Sequence, residues 1–355
     1  MTPEDKHRTE RPVQGMPVLS VEAALAELAR WAPPLADTEE LGLFDALDRV
    51  LAEDLVSPIS VPPHDNSAMD GYAFDGAQLR AGQPLQLRPE GGVALAGQTW
   101  TGRLAAGQCL RIMTGAVLPA GLDTVVPQEL TQAGPDGAIV LPADSVRPGD
   151  NRRLRGEDLK AGEPALRAGE RLGPAALGLL ASLGLERVRV RRRLKVACFS
   201  TGDELLRPGE AARPGAIYDS NRYTLFGLLT RLGAQVMDLG VVRDEPAALE
   251  ATLRKAAAEA DVVITSGGVS VGDADHTRAL MQRLGEVLFC QVALRPGRPL
   301  AVGRLDAGRP AQAPGCLLLG LPGNPVATMV TFLALVRPTL LAMMVGLVAI
   351  LLFGG

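Results

Sequence analysis

From Leu194 to about residue 338, short apolar runs alternate with segments of helical spacing. The runs include Val196–Phe199, Val262–Ile264 and Leu317–Leu319, and a turn and a helical segment follow each of them. This alternation predicts an α/β domain with a mostly parallel sheet. Since ligands bind such a sheet at the carboxyl ends of its strands, the loops that follow the runs are the first place to look for function.

The loop after Val262–Ile264 reads Thr-Ser-Gly-Gly-Val-Ser-Val-Gly-Asp-Ala-Asp over residues 265–275. A glycine-rich turn between a strand and a helix presents backbone N–H groups that can hold an anion. Asp273 and Asp275 at the end of this loop would repel a phosphate unless a cation lay between them. The loop therefore predicts a magnesium-assisted site for a phosphorylated ligand.

Further acidic side chains follow two other strands, and Asp219 precedes a helix, where a helix cap explains it equally well. Carboxylates gathered at one edge of a sheet repel each other unless a metal ion or a cationic ligand relieves the repulsion. The predicted metal ligands are Asp203, Glu204, Asp244, Asp273 and Asp275.

Two rigid turns could supply the other half of an anion site. Arg295-Pro-Gly-Arg-Pro299 carries two guanidinium groups suited to oxyanions, and Gly320-Leu-Pro-Gly-Asn-Pro325 leads from a strand into a helix. Either turn alone is more often structural than ligand-binding. The chain has neither a P-loop nor a GxGxxG fingerprint, which weighs against an ATP-driven or nicotinamide-dependent enzyme.

Residues 61–150 differ, because short apolar runs there are separated by Gly and Pro turns, which predicts an all-β unit. Helical patterns occur at residues 21–30, 45–54 and 173–183.

The net charge of −4 argues against nucleic-acid binding, so the Arg-rich run at residues 187–195 is interpreted as a solvated strand. Four cysteines without CxxC spacing favour a reducing cytoplasm, and Cys198 and Cys316 are expected in the core.

The stretch from Leu340 to Phe353 is uncharged and nearly all apolar. It is shorter than the roughly 20 residues of a membrane-spanning helix. Three interpretations are open: a buried final helix, a short tail anchor, or the out-of-frame end of a damaged gene.

Taken together, the loop sequences resemble the molybdopterin molybdenumtransferases, the family that includes the gephyrin E domain. The motifs occur in order over about nine-tenths of the chain: DNSAMDGYAF (Asp65–Phe74), RIMTGA (Arg111–Ala116), RLRGED (Arg153–Asp158), STGDEL (Ser200–Leu205), IYDSN (Ile217–Asn221), TSGGVSVGDAD (Thr265–Asp275), LRPGRP (Leu294–Pro299) and GLPGNPVA (Gly320–Ala327).

The resemblance implies an enzyme that inserts molybdate into adenylylated molybdopterin and releases AMP, with Mg²⁺ required. It also implies a cytoplasmic homodimer whose cleft is shared between subunits, with molybdopterin adenylyltransferase as a possible upstream partner. The implied catalytic residues are Asp65, Thr114, Glu204, Asp244 and Asp275, with Asp158 as a further acid. The implied pterin-nucleotide-binding residues are Ser200, Thr201, Gly202, Asp219, Ser266, Gly267, Gly268, Ser270, Gly272, Arg295, Pro296, Gly297, Arg298, Pro322, Gly323 and Asn324.

The implied architecture is a multidomain α/β and β protein. A MogA-like molybdopterin-binding domain is expected over residues 191–338 and an all-β domain over 61–156. A discontinuous helical linker domain is expected over 16–60 and 157–190, and the apolar tail takes 339–355, where the family usually continues with a C-terminal β domain.

Two departures from the family pattern bear on activity. Gln291 stands where family members often carry Lys, which removes one charge from the anion site. With the apolar tail, this leaves open a non-catalytic protein that only binds the pterin nucleotide. A structural scaffold is a third interpretation, for which the sequence contains no partner motif.

Overall fold

The computed structural model describes residues 18–268, 275–306 and 315–345, without the side chains of residues 275–278 and 289. The chain divides into two compact units. The first, here called the α/β unit, joins the chain up to Glu53, Ala168–Pro174 and the chain from Arg187 onward. The second, here called the β unit, comprises Asp54–Arg167 and Ala175–Glu186.

The strands of the described residues are β1 (Val18–Leu19), β2 (Thr38–Gly42), β3 (Leu55–Val56), β4 (Asn66–Ser67), β5 (Gly71–Phe74), β6 (Leu85–Ala94), β7 (Gln108–Ile112), β8 (Thr124–Pro127), β9 (Gln132–Ala133), β10 (Ile139–Leu141), β11 (Arg152–Arg153), β12 (Pro164–Leu166), β13 (Arg187–Arg191), β14 (Lys195–Thr201), β15 (Leu205–Leu206), β16 (Ile217–Tyr218), β17 (Gln235–Val242), β18 (Val262–Ser266), β19 (Gly285–Val292), β20 (Pro299–Leu305) and β21 (Cys316–Leu321). The helices are α1 (Val21–Trp31), α2 (Pro174–Ser182), α3 (Asn221–Leu232), α4 (Pro246–Glu259), α5 (Asp275–Leu284), α6 (Pro325–Thr331) and α7 (Arg337–Val345). A π-helical turn at Phe332–Val336 joins α6 to α7.

The α/β unit is built on a seven-stranded sheet in the order β1-β19-β20-β21-β18-β14-β17. The four adjacent strands β21, β18, β14 and β17 are parallel and end at the edge strand β17, which confirms the predicted mostly parallel sheet for this part. The strand β20 runs antiparallel to both neighbours, β19 and β21. The loop between β19 and β20 is too short for the crossover that a parallel pair requires.

Helices cover both faces of this sheet. Successive residues of β14 alternate between them: Val196 and Cys198 pack with α1, α3 and α7, whereas Ala197 and Phe199 pack with α4 and α5. Burial raises the pKa of the Cys198 thiol to about 12. Cys316 is also fully buried, so the prediction that Cys198 and Cys316 are core residues is confirmed.

The described part of the predicted apolar tail lies in α7. Leu340 and Met343 are buried in the same core as α1 and α3, and the carbonyl of Met343 accepts from the N–H of Leu35 at 2.8 Å. The helical run Pro325–Val345 is long and apolar enough to cross a membrane by composition, but much of it is buried here. Up to Val345, the tail therefore fits the interpretation of a buried final helix.

The β unit contains a six-stranded sheet in the order β8-β5-β7-β6-β10-β9, as the turn-rich sequence predicts. Two shorter antiparallel pairs, β4 with β11 and β3 with β12, complete its described strands. Residues from the central strands form two small cores, one around Leu110 and Ile112 and one around Phe74 and Leu87.

The segments predicted to form a helical linker also contain strands. In the α/β unit β2 pairs antiparallel with β13, and Val188 and Val190 are buried while Arg187 and Arg189 are exposed. The interpretation of the Arg-rich run as a solvated strand is therefore confirmed. The predicted helix at residues 45–54 is wrong: only a 3-10 turn forms at Leu43–Ala46, since Asp48 has a φ of 62° that a right-handed helix excludes.

Candidate functional site

A cleft of about 1320 Å³ opens in the α/β unit, at the carboxyl ends of β14, β18 and β21. The edge of the sheet that the strand–helix alternation predicts as the ligand site therefore carries this cleft. The predicted pterin-binding residues that line it are Ser200, Thr201, Gly202, Asp219, Ser266, Gly267, Gly268, Arg295, Pro296, Gly297, Arg298, Pro322, Gly323 and Asn324. Ser270 and Gly272 lie outside the described residues.

Two of the predicted acids, Glu204 and Asp244, line this cleft. They come from different loops, but β14 and β17 are parallel neighbours, so the loops that follow them meet. The hydroxyl of Thr201 donates a hydrogen bond to a carboxylate oxygen of Asp244. In the described part of the chain neither acid forms an ion pair, so both keep their charge available to a bound cation.

Asp219 is held beside the cleft by several partners. Its carboxylate accepts from the buried Ser200 hydroxyl at 3.1 Å and from the backbone N–H of Arg222 at 3.2 Å. Arg222 also lies 3.5 Å from its second oxygen and binds Asp238 with two contacts of 3.1 Å. With 3% of its surface exposed, Asp219 serves the start of α3 as the helix-cap interpretation suggests, while it also borders the cleft.

Asn221 is a residue of this wall that the sequence reasoning did not select. Its side-chain amide donates to the Ser266 hydroxyl and to the carbonyl of Gly323, each at 2.7 Å. Asn221 belongs to the IYDSN motif, but a motif does not give the partner of a side chain. The bond to Gly323 depends on β18 and β21 being neighbours, which the sequence order conceals.

The first glycine turn of the cleft begins at Gly267. This residue has a φ of 88°, and a Cβ atom on it would lie 2.5 Å from the carbonyl oxygen of Thr201. Its N–H donates to the carbonyl of Leu321 at 3.1 Å, which joins the turn to the end of β21. Only glycine fits here without displacing the backbone, so the turn can approach a ligand closely.

The arginine turn between β19 and β20 supplies the cations of the cleft. Arg295 is exposed and Arg298 is half-buried. Between them Gly297 has a φ of 119°, and a Cβ atom there would lie 2.6 Å from the buried hydroxyl oxygen of Thr331. Gln291 is 5% exposed within β19 and is not among the residues that line the cleft.

The five predicted metal ligands are only partly among the described residues. Asp203 is exposed and does not line the cleft; its carbonyl accepts from Arg213 at 2.6 Å. Asp273 lies outside the described residues, and of Asp275 only the backbone is described, at the start of α5. Over the side chains that the structure describes, no three His, Cys, Asp or Glu residues are grouped closely enough to hold a metal ion. The five-acid ligand set stays a prediction.

The remaining predicted catalytic residues belong to the β unit. Asp65 borders a smaller cavity of about 400 Å³ and accepts from the Arg155 N–H at 2.8 Å, with Arg152 3.7 Å away. Thr114 donates its N–H and its hydroxyl to Asp70, each at 2.7 Å. These contacts, the backbone one first, hold the pKa of Asp70 below its usual range.

Asp158, the further acid implied by the resemblance, is also engaged within the β unit. Its carboxylate accepts from Arg153 at 2.5 Å. This bond is the main reason that the pKa of Arg153 is raised. Asp158 is thus already paired with a cation.

Known families and proteins agree with these observations. Residues 19–184 match the MoeA N-terminal region (domain I and II), and residues 197–342 match a probable molybdopterin binding domain. A molybdopterin molybdenumtransferase of Haemophilus influenzae is 42% identical over 321 residues, which are 90% of this chain and 76% of that protein. One from Nostoc sp. is 41% identical over 308 residues, 86% of this chain and 69% of that protein.

A solved structure is also similar. The molybdopterin biosynthesis moea protein from Pyrococcus horikosii superposes with a TM-score of 0.77 at 34% identity. The match covers 93% of this chain and 81% of that one, so the likeness extends over both units.

Proposed function

The chain belongs to the molybdopterin molybdenumtransferases, and we propose that it inserts molybdate into adenylylated molybdopterin with release of AMP. Its role as a transferase lies in molybdenum cofactor biosynthesis. The observation that carries the proposal is the composition of the α/β cleft. It gathers the acids Glu204 and Asp244, the cation Arg295 and two glycine turns at one edge of a parallel sheet.

The cleft suits a ligand that has both a ring system and phosphates. Guanidinium groups of Arg295 and Arg298 bind oxyanions in a bidentate manner, so they are assigned to phosphate or to molybdate. At the turn that begins at Gly267 a ligand can approach the backbone closely, because glycine has no Cβ atom to block it. A cavity of about 1320 Å³ exceeds the usual size of a small-molecule site, which accords with a dinucleotide-like substrate.

The step that releases AMP replaces one phosphorus–oxygen bond with another. An oxygen of molybdate or water attacks the phosphorus on the molybdopterin side of the anhydride, the bond from that phosphorus to the bridging oxygen breaks, and AMP leaves with the bridging oxygen. Insertion is a second step: the two dithiolene thiols give up their protons, two Mo–S bonds form, and one molybdate oxygen leaves as water with those protons. No protein nucleophile is required. The protein's contribution is to orient the anhydride against Arg295 and Arg298 and to hold carboxylates beside it.

The donor set of the cleft fits Mg²⁺. This ion takes oxygen ligands and is commonly held by one or two carboxylates together with substrate phosphates. Glu204 and Asp244 would supply those carboxylates, with Asp275 as a third. Bound there, Mg²⁺ would neutralise charge on the phosphate oxygens. Thr201 holds the Asp244 carboxylate in a fixed orientation for that contact.

The proposal extends to a homodimer. As the family resemblance implies, Asp65 of the partner subunit and Thr114 of the partner subunit would face the cleft and complete it. Molybdopterin adenylyltransferase, upstream in the cytoplasm, would supply the adenylylated substrate.

The test is direct. Purified protein is incubated with adenylylated molybdopterin, molybdate and Mg²⁺, and AMP is measured by chromatography. We expect AMP to appear only when molybdate and Mg²⁺ are both present. Binding of the pterin nucleotide without any AMP would overturn the proposal and leave a protein that only binds the nucleotide.

A further inference from the structure

We propose that Asn221 is a positioning residue that holds two glycine turns of the cleft at the start of α3. The turns are Gly267–Gly268, which follows β18, and Pro322–Gly323, which follows β21. The inference rests on the proposed function, since it concerns the cleft in which the pterin nucleotide is expected to bind. It adds a residue to which neither the motif nor the family matches assign a role.

The argument begins with the donors of the amide. A side-chain amide has two N–H hydrogens, and the nitrogen of Asn221 contacts two acceptors, the Ser266 oxygen and the Gly323 carbonyl, both at 2.7 Å. Ser266 ends β18, and Gly323 follows β21. One side chain from a helix therefore binds the ends of two different strands.

Burial makes the loss of either hydrogen bond costly to the cleft wall. Asn221 is 7% exposed and Ser266 is 2% exposed, so water cannot readily replace a lost partner. Aspartate at position 221 could accept from the Ser266 hydroxyl but would set a second acceptor against the Gly323 carbonyl, and serine would offer a single hydrogen on a shorter side chain. Among polar side chains of this size, only asparagine supplies both donors.

The two turns are already joined to each other by weaker contacts. Gly267 N–H donates to the Leu321 carbonyl at 3.1 Å, and the Ser266 hydroxyl lies 3.4 Å from the Pro322 carbonyl. Asn221 connects these two turns to a third element, the helix α3, of which it is the first residue. The buried Asp219 lies two residues before it. Turns held in place before the ligand arrives need not be ordered on binding, which strengthens binding.

The first experiment needs no ligand. Hydrogen exchange is followed by mass spectrometry in the full chain carrying Asn221→Ala, with Leu229→Ala as the matched control. Leu229 is a fully buried core residue of the same helix and does not line the cleft. We expect Asn221→Ala to speed exchange in residues 262–268 and 316–324 more than the control does. Equal exchange in these segments would overturn the proposal.

The second experiment measures binding and turnover separately. For Asn221→Ala we expect about a tenfold weaker Kd for adenylylated molybdopterin, because the loosened turns must then be ordered when the ligand binds, with AMP release at saturation nearly unchanged. Leu229→Ala should keep the wild-type Kd.

The outcomes separate the two proposals. If the wild type releases no AMP, the proposed function fails while the exchange result still decides the role of Asn221. If the wild type is active but Asn221→Ala binds the nucleotide as tightly, the role of Asn221 fails alone.

Discussion

Acids that the resemblance assigns to catalysis are held in different ways in the α/β cleft and in the β unit. In the cleft, Asp244 accepts from the neutral hydroxyl of Thr201, whereas in the β unit Asp158 is bound to Arg153 and Asp65 lies near Arg152. A neutral donor orients a carboxylate and leaves its charge uncompensated. An arginine partner offsets that charge. An acid such as Asp244 is therefore the better candidate to bind a cation from solution, and four measurements test this difference and the structure around it.

The largest effect is expected from Glu204→Gln compared with Asp203→Asn. These acids are neighbours in sequence, but Glu204 lines the cleft and Asp203 does not. Losing the Glu204 charge should lower AMP release about 100-fold, the size of one strong electrostatic contribution to catalysis. Asp203→Asn should stay close to wild type. Equal losses for the two variants would show that lining the cleft does not distinguish a working acid.

The next effect concerns Thr201, whose hydroxyl holds Asp244. Thr201→Val keeps the shape and removes the donor, so AMP release should fall about tenfold, as for other outer partners of metal-binding groups. Thr201→Ser keeps the hydroxyl and should recover most of the activity. The Mg²⁺ concentration at half-maximal rate should rise for Val and not for Ser. If Ser is as impaired as Val, packing of the methyl group is responsible instead.

Stability offers a third comparison, between two glycines that have the same φ of 88°. A Cβ atom on Gly267 would meet the Thr201 carbonyl at 2.5 Å, while on Gly121 of the β unit it would meet nothing within 4 Å. Gly267→Ala should therefore cost about 3 kcal/mol of unfolding free energy and Gly121→Ala about 1 kcal/mol.

Each unit can be followed separately in this test, because Trp31 lies in the α/β unit and Trp100 in the β unit. Urea unfolding is recorded by fluorescence in Trp31→Phe and Trp100→Phe backgrounds. Similar losses from the two alanines would mean that the backbone conformation dominates and the close contact at Gly267 relaxes.

The smallest effect is a pH dependence in the β unit. The pKa of Asp70 is lowered by Thr114, so its folded value lies below the unfolded one. The stabilisation from this pair is therefore complete above the unfolded pKa and is lost as the pH falls through the folded pKa. Thr114→Val removes the hydroxyl but keeps the N–H, and should raise the pKa of Asp70 only in part. Carboxyl carbon NMR titration measures it; an unchanged pKa would refute the hydroxyl's role.

Local pattern in the sequence predicted the strand–helix alternation, because each element depends on the periodicity of its own residues. It also predicted that the loops of the cleft share one edge of the sheet, because loops after parallel strands meet there. The individual pterin-binding residues came from the family resemblance. The local sequence pattern could not predict the order of the strands in the sheet, because β18 lies beside β21 although β19 and β20 intervene in sequence. The partners of Asn221 were therefore hidden.

The predicted helix at residues 45–54 failed for a related reason. Its apolar spacing was suitable, but Asp48 is left-handed and the following Val50 and Leu51 bridge to distant residues of the α/β unit. Long-range backbone pairing overrode a local preference, as it commonly does in segments of weak helix propensity. Sequence periodicity contains no information about such pairing.

The pairing of β1 with β19 has a consequence for how the protein is made. The strand at Val18–Leu19 leaves the ribosome early, but its partner at Gly285–Val292 is translated near the end of the described chain. The β unit, contained within Asp54–Glu186, can fold while synthesis continues. The β1–β19 edge of the α/β sheet can form only after β19 has been synthesised. Until then the nascent chain contains a folded β unit flanked by two segments of an α/β unit that has not yet folded.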